Sequence, residues 1–193
     1  MRSGRPATLD LVAAVGLAIG GAFGLAGTFV PSAELRESLW MIDGVAIVVA
    51  TALLTVKYLR RDNDFVAAGF LTFTAGESLL LAGNAAGLQA SVPSYAGGMA
   101  FWSAALIMIS APKTFALWMR LTAIVAAVLF AVSVGRILWG APLLPTSAPL
   151  PALGYPFLVL TFVGWIWTLA KAQVRIKDPA APAVKREAEE DRR

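Results

Sequence analysis

The chain has 193 residues, of which 58% are hydrophobic and 15% are charged, and its formal net charge is +4. Soluble domains average about 45–50% apolar and about 25% charged residues, so this composition is typical of a polytopic membrane protein. The sequence has no cysteine and no histidine, which excludes disulfides, cysteine nucleophiles, Cys/His zinc sites and Ser-His-Asp triads. We therefore expect no enzymatic activity, no bound cofactor or metal, and no nucleic-acid partner.

Six apolar windows are long enough to cross a bilayer, whose hydrocarbon core requires about 20 helical residues. They predict an all-α bundle of six transmembrane helices, which forms one domain over residues 1–172 and has the lipid bilayer as its main partner. Residues 173–193 mix charges with Pro and Ala, which predicts a partly disordered cytoplasmic tail. The predicted helices span roughly residues 11–30, 39–56, 65–88, 95–110, 115–138 and 150–170.

Helix 1 carries a stripe of glycines at Gly16, Gly20 and Gly24. Small residues four positions apart lie on one helix face and allow two backbones to approach closely within a membrane. We expect this stripe to pack inside the bundle, and a homodimer through the same face is the alternative. The start "MRSGRP" before an apolar run also resembles a cleaved secretory signal, but Asp10 and the length of the run favour a retained helix.

Helix 2 contains Asp43 in its outer part, within the sequence "WMIDGVA". A carboxylate within an apolar span is costly unless it is paired, protonated or hydrated, so it marks a position where a partner is expected. Asp10, at the start of helix 1, is instead interpreted as a cap or interface residue.

Helix 3 combines a second glycine seam with two polar residues. Gly69, Gly76 and Gly83 recur every seven residues and so return to one face of the helix. Glu77 and Asn84 each follow one of these glycines, and Glu77 lies about 18 Å into the membrane if the helix enters near residue 65. We therefore expect the glutamate beside a helix–helix seam rather than on the lipid face.

Helix 5 carries Arg136 near its outer end, on the same side of the midplane as Asp43 and Glu77. Arginine side chains extend over several ångströms, so Arg136 is predicted to pair with Asp43 or to reach towards Glu77. Two acids and one arginine leave one carboxylate without a cation. The resulting network of Asp43, Glu77, Asn84 and Arg136 either fixes helix register, forms a proton or cation site open to the outside, or contacts a lipid head group or partner helix.

The Lys and Arg residues predict the orientation. With the N-terminus inside, the inner segments hold 14 of the 16 basic residues, and the outer segments hold only Arg36 and Arg136. This asymmetry follows the positive-inside rule and predicts that both termini are cytoplasmic. The Ala-, Gly- and Val-rich composition suggests a bacterial inner-membrane protein. Five tryptophans lie near predicted helix ends, as is typical of the membrane interface, whereas Trp102 lies deeper: Trp40, Trp118, Trp139, Trp165 and Trp167.

The function that the sequence favours is a non-catalytic accessory, assembly or stress-related membrane component with a partner membrane protein. Small bundles with few polar core residues make poor solute pathways. The alternative is a small transporter or channel with a proton- or cation-linked site around Glu77. The two differ in one structural expectation, because a transporter requires a hydrated cavity at Glu77 and an accessory protein requires only a sealed bundle.

Overall fold

The computed structural model describes the backbone of residues 5–141 and 143–177 and the side chains of residues 8–141 and 143–171. Of the predicted charged tail, residues 173–193, the first five residues form the end of the last helix, and residues 178–193 lie outside the described residues. Within them the secondary structure is helical, with no strand. The six helices are α1 (Arg5–Phe29), α2 (Ala33–Leu59), α3 (Asp64–Asn84), α4 (Val92–Ser110), α5 (Leu117–Leu138) and α6 (Gly154–Lys177).

Several helices begin outside the apolar windows that the sequence indicates. The first helix starts at Arg5 rather than near residue 11, and α2 starts at Ala33 rather than near 39. The start of α2 is set by a cap, because the Ser32 hydroxyl accepts a hydrogen bond of 3.3 Å from the Leu35 N–H. Hydropathy windows miss such polar first turns, so they shorten helices at the membrane surface.

The third helix is shorter than predicted, ending at Asn84 rather than near residue 88. Gly87 follows with a φ of +82°, a left-handed conformation that glycine adopts without strain. The fourth helix then begins at Val92, with Pro93 in its first turn, where a missing N–H costs nothing. The connection between α3 and α4 is therefore tight and lies at the end of the bundle where α3 ends.

The helices form a closed ring in chain order. Each helix packs against the next one, and α6 packs back against α1. Within the described residues the helix backbones do not come close to one another across the ring, where only side chains meet. Consecutive helices run in opposite directions, so α1, α3 and α5 end at the face of the ring where α2, α4 and α6 begin.

Large aromatic side chains fill the centre of this ring. Phe70 and Trp165 lie with ring centroids 4.9 Å apart, and Phe73 stacks on Trp102 at 5.4 Å. Such pairs contribute about 0.5–1.5 kcal/mol each beyond the area they bury. We call the contiguous set the aromatic column: Tyr58, Phe70, Phe73, Trp102, Phe115, Phe130, Tyr155, Phe162 and Trp165.

The outer face of the ring is apolar. Val45, Leu71 and Val128 are each more than half exposed, although they lie in the middle of their helices. Five helices, α1 to α5, are long and apolar enough to cross a membrane. An apolar exterior around a packed centre is the arrangement expected of a helical membrane protein, which agrees with the class that composition indicates.

The glycine stripe of α1 is occupied within the chain. A Cβ atom added at Gly16 would lie 2.8 Å from the Ala46 carbonyl oxygen of α2, and one at Gly20 would lie 2.3 Å from the Ile47 side chain. These distances are below normal contact, so only glycine permits this approach of α1 to α2. The stripe therefore serves packing inside the bundle.

The glycine seam of α3 packs against α4. A Cβ added at Gly76 would lie 2.9 Å from the Gly98 carbonyl oxygen, and one at Gly98 would lie 2.8 Å from the Gly76 carbonyl oxygen. Gly69 faces the Ile109 side chain, and Gly83 faces the Ser94 side chain. The two helices thus meet backbone to backbone at Gly76 and Gly98, and side chains of α4 pack against the other two glycines.

Candidate functional site

One end of the ring contains a partly open cavity of about 70 Å³. Its walls come from the ends of α1 and α3, the first half of α2, α4 and α6, and the connection that follows α5. The aromatic column closes its floor, with Trp102, Tyr155 and Phe162 belonging to both. The antiparallel ring brings these segments to one end although they are far apart in the sequence. We call this space the acidic cavity, for the two acids described next.

Glu77 lies in the wall of the acidic cavity and is 3% exposed. Its Oε2 atom is buried and has no hydrogen-bond partner. Its Oε1 atom faces the backbone of α2, since a Cβ added at Gly44 would lie 3.2 Å from it. Glycine at position 44 therefore lets a helix 3 carboxyl reach the residue next to Asp43.

Asp43 lines the same cavity from α2 and is half-buried. Its carboxyl group rests on the glycine stripe of α1, because a Cβ added at Gly24 would lie 2.6 Å from Asp43 Oδ2. Its Oδ1 atom is buried and without a hydrogen-bond partner. The stripe that the sequence indicates for packing thus also forms the seat of a carboxyl group.

Trp102 places a third polar atom without a partner at this position. Its side chain is 6% exposed, and its indole nitrogen makes no hydrogen bond. The indole faces the Glu77 carboxyl, but the geometry falls short of a hydrogen bond. A buried indole N–H normally finds an acceptor, so this donor and the two carboxyl oxygens leave the cavity incompletely satisfied.

Two tyrosines complete the polar lining. The hydroxyl groups of Tyr95 and Tyr155 hydrogen-bond each other, and the Tyr155 hydroxyl also donates to the Pro145 carbonyl oxygen at 3.1 Å. The proline-rich connection between α5 and α6 therefore folds back over the bundle and covers part of the cavity.

A second, outer space of about 190 Å³ adjoins the acidic cavity. Trp40, Asn84 and Ser91 line both spaces and so form the boundary between them. The Trp40 indole is held by a hydrogen bond of 3.3 Å to the Gly24 carbonyl oxygen. The outer space also contacts Arg36 and Glu37, and we call it the vestibule.

Arg136, which the sequence groups with these residues, is not brought to them. Its side chain is exposed on α5, and it forms no ion pair with Asp43 or Glu77 in the described part of the chain. The neighbouring Ile137 packs on the core, and one residue turns a helix by about 100°. Arg136 therefore points away from the centre of the ring, and the expected pairing is not formed.

At the opposite end of the ring, Lys57 Nζ lies 2.7 Å from Asp10 Oδ2. This is the only ion pair among the described residues. The sequence interpretation placed Asp10 in a cap or interface role and did not connect it with Lys57. The antiparallel order of α1 and α2 brings the start of α1 beside the end of α2. This order, taken together with the opposite charges of Asp10 and Lys57, predicts the ion pair.

Metal coordination would require further ligands, since no group of three or more acidic residues that could hold a metal ion occurs among the described residues. No protein-family model, curated protein or solved structure matches the chain. We therefore infer the function from the chemistry of the residues that line the cavity.

Proposed function

We propose that this chain is a bacterial inner-membrane protein with six membrane spans and both termini in the cytoplasm. The distribution of basic residues supports this orientation, because 14 of 16 Lys and Arg residues fall on the side of the N-terminus. Close packing of α6 against α1 and α5 supports counting α6 as the sixth span. In this orientation the acidic cavity and the vestibule face the outside.

The function proposed for the chain is binding of a proton or a cation in the acidic cavity, as part of a small carrier. One observation carries the proposal: Asp43 and Glu77 line one buried cavity, each with an oxygen that has no partner. A carboxylate in an apolar site is costly unless a proton, a cation or water compensates it. The site is therefore suited to exchange a positive charge with the outside.

The aromatic column supports a carrier rather than an open pore. Phe70, Phe73 and Phe130 are fully buried along the ring axis below the cavity. Stacked aromatic rings leave no polar lining for a continuous water path towards the side of Lys57. A positive charge that enters from the vestibule would therefore stop at the acids until the helices rearrange.

A non-catalytic accessory or assembly role is the second candidate, and the same column favours it. A packed centre gives a rigid ring, and the apolar outer face of α1 to α5 is available to a partner membrane protein. In this case the acids would serve only to fix the helices. Affinity purification from native membranes tests this role, which predicts a stoichiometric partner.

Flux into liposomes tests the carrier. The purified chain would be reconstituted with a pH-sensitive dye inside, and gradients of protons, Na⁺, K⁺ or an alkylammonium ion would be applied. We expect flux with the wild type and loss of flux with Glu77→Gln. Glu34→Gln is the matched control, because Glu34 is exposed in the first turn of α2. Absence of flux with every ion contradicts the carrier.

A further inference from the structure

The lining of the acidic cavity is aromatic as well as acidic. Trp40, Trp102, Tyr95, Tyr155 and Phe162 line the cavity together with Asp43 and Glu77. Aromatic faces attract organic cations through their quadrupole, and this attraction grows when water is excluded. A strongly hydrated inorganic cation would be stabilised little by aromatic walls. An organic ammonium ion would be stabilised by both parts of the lining, since the carboxyl groups bind its charge and the aromatic side chains contact its apolar body.

The volume limits the size of the ligand. A space of about 70 Å³ holds roughly five to seven water-sized positions at about 10–15 Å³ for each. The cavity therefore fits a molecule with roughly five to seven non-hydrogen atoms. A larger ligand would have to displace Trp40, whose indole is tied to Gly24 at the boundary with the vestibule.

The polar atoms match an ammonium donor. Glu77 Oε2 and Asp43 Oδ1 are acceptors without partners, and an ammonium group presents donors only. Within the described residues no cationic side chain lines the cavity to compete for these oxygens. Arg36 stays in the vestibule, where its guanidinium donates to the Val30 carbonyl oxygen at 2.6 Å.

We infer that the acidic cavity binds a small organic ammonium ion, with the ammonium group at Asp43 and Glu77 and the apolar body against the aromatic walls. This inference rests on the proposed function and names the class of its substrate. The aromatic floor around Trp102 and Phe162 would hold the hydrocarbon part, and the vestibule would be the route of entry.

Equilibrium binding of radiolabelled n-butylamine tests the inference, with the full chain in lipid nanodiscs at neutral pH and empty nanodiscs as background. 1-Butanol is a neutral competitor of nearly the same shape, and NaCl and KCl supply inorganic cations. We expect saturable binding of one amine per chain, competed by unlabelled n-butylamine and not by equal 1-butanol. Loss of a charged hydrogen bond in Glu77→Gln or Asp43→Asn should weaken binding at least about tenfold, while Glu34→Gln binds as the wild type does.

The other outcomes separate the inference from the function on which it rests. Equal competition by 1-butanol would mean an apolar pocket without charge recognition and would overturn the inference. Flux of protons, Na⁺ or K⁺ that depends on Glu77, without binding of n-butylamine, would overturn it and leave the proposed carrier standing. The comparison of amine with alcohol uses wild-type protein, so it decides the question even if a variant fails to fold.

Discussion

The ammonium of Lys57 and the carboxylate of Asp10 form an ion pair of 2.7 Å in which each side chain is only 11% exposed. The pair joins the start of α1 to the end of α2, at the end of the ring opposite the acidic cavity. Its depth distinguishes it from the surface pairs that contribute little to stability. Removal of either charged group should therefore destabilise the fold, because it leaves the other charge buried and unpaired.

Removal of one partner should destabilise the protein more than removal of both. We expect Lys57→Met to lower the free energy of unfolding by about 3 kcal/mol, because it leaves a buried carboxylate unpaired. The double variant Asp10→Asn/Lys57→Met should recover part of this loss. Unfolding curves in detergent measure both, with Lys113→Met at an exposed position as the control. Additive losses in the double variant would show that the pair is not coupled.

Gly24→Ala should disturb the seat of Asp43. The added Cβ would lie 2.6 Å from Asp43 Oδ2, so the carboxyl group or the α1–α2 contact must shift. Overpacking of this kind costs about 1–3 kcal/mol. Gly135→Ala is the matched control, because its Cβ would meet no atom closer than 3.7 Å. We expect a lower unfolding temperature and weaker cation binding for Gly24→Ala alone. Equal behaviour of the two variants would contradict the close contact.

The two tyrosines of the cavity should differ in their contribution to stability. Tyr155→Phe removes two hydrogen bonds, to Tyr95 and to the Pro145 carbonyl oxygen, whereas Tyr95→Phe removes only one. At about 1 kcal/mol for each bond, Tyr155→Phe should be the more destabilising change. It should also release the connection between α5 and α6, which limited proteolysis at residues 143–153 would detect. A larger effect of Tyr95→Phe would contradict this arrangement.

Arg136→Gln should leave both stability and cation binding unchanged. The side chain is exposed and forms no ion pair among the described residues, and substitutions at such positions usually change stability by less than about 0.5 kcal/mol. The binding and unfolding assays above measure both quantities. A loss of cation binding comparable with that of Glu77→Gln would show that Arg136 contributes to the site.

The proposed orientation can be tested with single cysteines, since the natural chain has none. Glu34→Cys lies at the start of α2 and Lys113→Cys in the connection between α4 and α5, and both positions are exposed. In intact cells, an impermeant maleimide should label Glu34→Cys, whereas Lys113→Cys should react only after permeabilisation. The reverse pattern would place the acidic cavity on the cytoplasmic side.

The acids could be predicted from the sequence because a carboxyl group within an apolar helix is conspicuous in itself. Asp43 and Glu77 stand out in this way, Asn84 is the polar residue two helical turns after Glu77, and the structure brings all three to one cavity. The predicted pairing of Arg136 was wrong because it depends on the direction in which the side chain points around the helix axis. This direction changes by about 100° from one residue to the next. Near an end of a predicted helix, this angle cannot be fixed from hydropathy.

The aromatic half of the site could not be predicted. Tyr95 and Tyr155 are separated by sixty residues, and Trp102 lies on a different helix from either acid. Their meeting depends on closure of the ring between α6 and α1, which is a property of the whole chain. Residue type alone favours a membrane-interface role for Trp, and for Trp102, which lies deeper in its predicted helix, it indicates no partner.

The ring can close only after α6 has been synthesised and inserted. Helix α6 is synthesised after the other five described helices, yet it lies beside α1, with Gly21 of α1 facing Val159 and Phe162 of α6. Until α6 is inserted, that side of α1 has no partner from its own chain, and the acidic cavity lacks a wall. The acids therefore enter the membrane well before their enclosure is complete, and a nascent chain must keep them hydrated or shielded by the insertion machinery.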